Sequence, residues 1–166
     1  LRTPGCEVRF DHGLRAVMQA CASTPRGGQD GTWIVPEMVD AYCAWHTLGR
    51  VHSVETWVDG QLVGGLYFVN LGHMCFGESM FSHRTDASKI ALAALVAACR
   101  ARGVAWVDCQ QNTGHLASLG AHEVPREQFL QMVTQGLRAG PAKPWTYDAA
   151  DWAQLGLAGR DDSPDA

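Results

Sequence analysis

No two cysteines in this 166-residue chain are spaced as CxxC, and its six cysteines form no even framework of short loops. That excludes a zinc ribbon and a disulfide-stapled scaffold. Of Cys6, Cys21, Cys43, Cys75, Cys99 and Cys109, most fall inside apolar periodic runs, where a free thiol behaves as a small hydrophobe. A reducing, cytoplasmic setting is therefore expected. Long apolar runs are also missing. The longest, Ile90 to Cys99, is about half of the ~20 residues a membrane span needs, so no membrane partner is expected. Basic charge is in deficit: 13 Lys and Arg stand against 17 Asp and Glu, for a net charge of −4. That weighs against autonomous nucleic-acid binding, since phosphate contacts supply most non-specific affinity. Recognition of a terminal nucleotide by a local pocket stays open. The opening "LRTPGCEVRF" has neither a leader pattern nor an initiator Met, so the chain is expected to be processed or to be part of something longer.

Several catalytic signatures are absent too. The histidines (His12, His46, His52, His73, His83, His115, His122) show neither HxH nor HExxH spacing, so no metal is expected. Ser79, in "GESMF", lacks the GxSxG of a nucleophile elbow, and no Ser-His-Asp or Cys-His triad can be read from spacing. The glycines of "RGGQDG" and "VGGLY" match neither a P-loop nor a dinucleotide fingerprint. Coenzyme A is disfavoured, because the strand-to-helix junction "FSHRTDASK" has no glycine and places Asp86 where a phosphate would be repelled. No cofactor is expected.

What is present is a globular composition, 46% apolar and 18% charged, long enough for one domain. Leu14, Val17, Met18 and Cys21 recur at helical intervals and predict a helix over about 12–22. Pro36 and Glu37 at its start and Gly49 past its end frame a second helix. "VHSVETWV" and "QLVGGLYFV" flank Asp59-Gly60, a strong hairpin signal, and "MCFGESMF" adds a third strand to the meander. A helix capped by Thr85 or Asp86 and closed by Gly103 leads to a short buried strand, "VAWVDCQ". A brief helix follows in "HLASLGA", then one with Pro125 at N1. We place the domain at 1–140 and a C-terminal tail, extended or frayed, at 141–166. A meander joined to one parallel crossover implies an α+β (mixed α/β) domain of the acetyltransferase-like kind, with a mixed, mostly antiparallel sheet flanked by helices.

Two carboxylates stand out. Alternation along "MCFGESMF" puts Phe76, Glu78 and Met80 on one side and Gly77, Ser79 and Phe81 on the other. A buried, unpaired carboxylate is costly, so Glu78 either pairs with an arginine such as Arg84 or faces a pocket that receives a cation. Asp108 and Gln110 end the buried strand on one face. They either border a crevice at the carboxyl ends of the two parallel strands or, for Asp108, cap the next turn.

"TW", "AYCAWHTLGRVHSVETWVDGQLVGGLY", "FGESMFS", "ASKIALAALV", "VDCQ" and "HLASLGAHEVPREQF" together resemble the bacterial leucyl/phenylalanyl-tRNA–protein transferases, from about residue 7 to 135. The resemblance implies an acetyltransferase-like fold that takes aminoacyl-tRNA in place of coenzyme A. It implies transfer of Leu, Phe or Met from the tRNA 3′ end to the α-amine of proteins beginning with Arg or Lys, marking them for N-end rule degradation. It implies Asp108 and Gln110 as the catalytic pair and Glu78, beside Ser79, as an acidic wall for the basic acceptor. It places Trp33 and Tyr42 near the 3′-adenosine and the aminoacyl group, and Leu66, Met80, Leu95 and Val107 around the donor side chain. A monomer is expected. The family's N-terminal portion, with its tRNA-facing surface, has no counterpart in this sequence. Phe68 stands where the family commonly has glycine, and Cys75 where it often has a larger aromatic. Two rivals remain: a relative with a different acyl donor, and a non-catalytic module that binds basic N-termini through Glu78 and tolerates Gln110→Ala.

Overall fold

The computed structural model describes residues 4–25 and 31–156. Five strands lie in the order of the chain: β1 (Cys6–Phe10), β2 (Val51–Val58), β3 (Gln61–Leu71), β4 (Met74–Ser82) and β5 (Trp106–Asp108). The first four are antiparallel, and β5 pairs parallel to β4 through Met74–Trp106, Cys75–Val107 and Phe76–Asp108. Helix α3 (Ala87–Ala101) makes the crossover. Helices α1 (Leu14–Ser23) and α2 (Pro36–Thr47) precede the meander, while α4 (Gly114–Ser118) and α5 (Arg126–Arg138) follow β5. The mixed, mostly antiparallel sheet with flanking helices is the expected α+β class. Strand β1 was not anticipated: its five residues contain one fully buried side chain, Val8, too few alternations to register as a strand.

Both faces of the sheet are covered, so β2 and β3 are buried almost throughout. One face, with Val51, Tyr67, Val69 and Phe81, packs on Leu14, Val17, Met18 and Cys21 of α1 and on Val39 of α2. The other, with Val54, Leu66, Phe68 and Cys75, packs on Ala91, Ala94, Leu95 and Ala98 of α3. Gly64 sets the distance to α3. A Cβ there would lie 2.7 Å from the Ala87 carbonyl carbon. Without a side chain there, the start of α3 sits directly on the sheet, where Thr56 Oγ1 donates to Ala87 O at 2.9 Å.

A β-bulge changes the expected faces. Tyr67 pairs Ser79, but Phe68 pairs Gly77, leaving Glu78 as an extra residue in β4. An inserted residue reverses the alternation beyond it. Phe76 therefore packs with the α1–α2 face and Met80 with the α3 face, not on one side together.

The tail also departs from expectation. Its described part, 141–156, lies on the domain rather than fraying. Trp145 is buried against Phe68, and a 3-10 helix (Ala149–Leu155) follows. Arg102 holds this segment through all three guanidinium nitrogens: Nε to Pro144 O, Nη2 to Thr146 O and Nη1 to Asp151 Oδ2, at 2.8–3.0 Å.

Candidate functional site

The bulge presents Glu78 where β4 and β5 part company. Strand β5 ends at Asp108, opposite Phe76, so β4 runs on without a sheet neighbour on that side among the described residues. Glu78 is half-buried. Its Oε2 accepts a hydrogen bond from the Tyr42 hydroxyl at 3.1 Å, and its Oε1 lies 3.4 Å from Gln110 Nε2. Neither partner carries charge, and Glu78 makes no ion pair among the described residues. The Arg84 pairing is therefore not formed. Burial pushes the Glu78 pKa up; the Tyr42 and Gln110 hydrogen bonds pull it back, and the nearby Asp108 charge pushes it up again. Burial and the Glu78 carboxylate likewise drive the Tyr42 hydroxyl up to about 12, so it is a donor at all ordinary pH.

Asp108 does cap its turn: its Oδ1 accepts the Gln110 backbone N–H at 2.8 Å. The residue it caps is the one whose side chain reaches Glu78. Gln110 sits in the left-handed region, φ 61°, which glycine or asparagine usually takes. Backbone strain of this kind costs about 1–3 kcal/mol and gathers at functional sites. The neighbouring Cys109 thiol is pushed up by burial and then by Asp108, which keeps it a poor nucleophile.

Tyr42, Glu78, Asp108 and Gln110 are thus joined in one hydrogen-bonded group from α2, β4 and the end of β5. Leu66, Met80, Leu95 and Val107 come together as well, but in the apolar cluster on the α3 face. Leu66 and Leu95 are closed core positions, while Met80, two residues from Glu78, and Val107, next to Asp108, are partly buried. Ser79 is half-buried opposite Tyr67. Trp33 lies in the loop before α2 and is 46% exposed. No contact joins it to the polar group among the described residues.

Three features escaped the reading of the sequence. Trp45 stacks on Tyr42, with ring centroids 5.9 Å apart and planes at 27°; two aromatics three apart on a helix were the available signal. Glu55 is fully buried, yet satisfied by Gly13 N at 2.7 Å, Ser53 Oγ at 2.8 Å and Trp57 Nε1 at 3.1 Å, an arrangement that anchors the start of α1. Asp11, His46 and His52 bring potential ligand atoms within 4.8 Å of one another. Their ring nitrogens are already engaged, His52 Nδ1 with Asp11 Oδ2 at 2.7 Å and His46 Nδ1 with Val51 O at 2.8 Å. As they stand, the three side chains form a polar clasp between the end of β1, α2 and β2. Among the described residues, no helix is long and apolar enough to cross a membrane.

Residues 1–134 match the family described as leucyl/phenylalanyl-tRNA protein transferase. The chain is 61% identical over 162 residues to the leucyl/phenylalanyl-tRNA–protein transferase of Methylibium petroleiphilum, covering 98% of this chain and 60% of that protein. It is 59% identical over 159 residues to the enzyme of the same name from Leptothrix cholodnii, covering 96% and 62%. The chain thus spans about three fifths of the length of these relatives. Among solved structures, a ribosomal-protein-alanine N-acetyltransferase from Brucella melitensis matches at 15% identity with a TM-score of 0.44, over 87% of this chain and 97% of that one.

Proposed function

This chain belongs to the leucyl/phenylalanyl-tRNA–protein transferase family, and from that premise we propose that it moves Leu, Phe or Met from the 3′ end of an aminoacyl-tRNA to the α-amine of proteins that begin with Arg or Lys. The product would enter N-end rule degradation in the cytoplasm, where the six free cysteines would stay reduced. The observation that carries this reading is Glu78: a half-buried carboxylate held by two neutral donors, with no cation of its own among the described residues. An acceptor ammonium or a basic first side chain would supply the missing charge.

The reaction joins an amine to an activated ester. The acceptor α-ammonium gives up a proton, and its nitrogen attacks the ester carbonyl carbon. The C–N bond forms and the nitrogen gives up a second proton, while the C–O bond to the ribose breaks and the ribose oxygen takes a proton. Glu78, its pKa raised by burial, is a better proton acceptor than an ordinary surface carboxylate. Asp108 fixes the left-handed turn that aims the Gln110 carboxamide at Glu78, so the amine meets a carboxylate and a carboxamide already in place. Because the ester is activated, holding the two reactants in register contributes as much as moving the proton. Met80 and Val107 border the polar group on the apolar side and would face the donor side chain.

The test is incubation of the purified chain with radiolabelled leucyl-, phenylalanyl- or methionyl-tRNA and an Arg-initiated model protein, with Asp108→Ala beside it. Label transferred by the wild type and lost in the variant supports the reading. Tight binding of the Arg-initiated protein with no transfer from any donor would replace it with the binding module.

A further inference from the structure

The pair of rings formed by Tyr42 and Trp45 has no use in the chemistry above. Tyr42 is committed at its hydroxyl to Glu78, and its ring meets Tyr67 edge-on at 5.7 Å. Its other neighbour, Trp45, lies nearly parallel to it and is 50% exposed. An indole this large and half-open to solvent adds little to the core; it offers a π-face. The face is continuous with the reaction site, since Trp45 touches Tyr42 and Tyr42 touches Glu78. On the same helix, the Asp40 carboxylate is bound by Arg15 at 2.8 Å.

Resting on the reading of the chain as an aminoacyl-tRNA transferase, we propose that the Tyr42–Trp45 pair is a stacking shelf for the base of the penultimate nucleotide of the donor RNA. The aminoacyl ester must reach Glu78 and Gln110, and from Glu78 the contacts lead outward first to Tyr42 and then to Trp45. A strand that leaves the site by this route would bring its next base to Trp45. Stacking on an aromatic side chain tolerates any base, because each has a π-face. It also needs no basic patch, which fits a chain with net charge −4.

The experiment compares two donors, aminoacyl-adenosine and an aminoacylated cytidylyl-adenosine dinucleotide, with wild type, Trp45→Ala and Trp45→Phe. Half-exposed Trp45 can be replaced without unfolding the domain. Trp45→Ala is expected to lower kcat/KM about tenfold for the dinucleotide donor, within the range of one lost base stack. The same variant should change the aminoacyl-adenosine value less than about twofold. Trp45→Phe should recover most of the loss, and a dinucleotide with an abasic first position should make wild type and Trp45→Ala equal. Equal losses with both donors would show that Trp45 only braces Tyr42, and would overturn the proposal. A loss appearing in the acceptor KM would overturn it in favour of a protein-binding face. Absence of transfer from any donor by the wild type would remove the reading on which it stands, an outcome separate from a failure of the shelf itself.

Discussion

Replacing Trp145 with alanine removes the side chain that seats the C-terminal segment on the domain. Trp145 is only 6% exposed, its ring edge-on to Phe68 at 4.9 Å and 5.8 Å from His52, with the Arg102 guanidinium 5.4 Å from its centroid. A buried tryptophan withdraws about 150–250 Å² from water, worth about 4–6 kcal/mol as an upper bound. Truncations of buried aromatics to alanine cost about 3–5 kcal/mol. The lower end applies here, because a segment near the end of the domain can close part of the void. A loss of about 3 kcal/mol is about a fifth to three fifths of the stability of an ordinary domain. It lowers Tm by about 6–12 °C at this chain length. Urea unfolding followed by circular dichroism reads it directly, with the midpoint shifted and the slope unchanged. Arg102→Lys should weaken the same segment without a cavity, since an ammonium cannot reproduce the fork to Pro144, Thr146 and Asp151. A Trp145→Ala loss under about 1 kcal/mol would show that 141–156 is not seated, and the extended or frayed tail read from the sequence would stand.

Three further outcomes are expected. Gly64→Ala should destabilise by about 1–3 kcal/mol in the same urea assay, because its Cβ would meet the Ala87 backbone at 2.7 Å and α3 would have to lift. Glu78→Gln should abolish transfer while leaving Tm at pH 7 no lower than wild type. With the folded pKa of Glu78 above its ordinary 4.5, the native state keeps a proton the unfolded chain has lost, so stability from this group is full below 4.5 and lost as pH rises through the folded value. The gap between variant and wild type should therefore widen upward through that window; a variant clearly less stable at pH 7 would contradict it. Gln110→Gly relieves a left-handed glutamine, so thermal stability should hold or rise by up to about 1 kcal/mol while the transfer rate collapses.

The order of strands and helices was legible because its signals are local: Asp59-Gly60 makes the hairpin, the periodicity of 87–101 makes the crossover, and Pro36 and Gly49 frame α2. Glu78 and Asp108 were legible as anomalies, carboxylates where an apolar residue was due. What tied them together was not. The bulge that aims Glu78 depends on pairing between Tyr67–Phe68 and Gly77–Ser79, a register that no alternation within one strand encodes. Tyr42 reaches Glu78 from 36 residues away, and only the packing of α2 on the sheet fixes that distance. Strand β1 and the seat of Trp145 were missed for the same reason: short segments at the ends of a domain owe their structure to partners far along the chain. Leu66, Met80, Leu95 and Val107 do share a cluster, yet a buried leucine reads alike whether it lines a pocket or fills a core.

The most direct measurement is the initial rate of leucine transfer from leucyl-tRNA to two peptides that differ only at residue one, Arg against Gly, with wild type and Glu78→Gln side by side. A carboxylate wall for a basic N-terminus predicts that wild type strongly prefers the Arg peptide and that Glu78→Gln loses transfer to it. Transfer at equal rates to both peptides, or a Glu78→Gln variant that keeps both rate and preference, would contradict the assignment of Glu78 and with it the site described here.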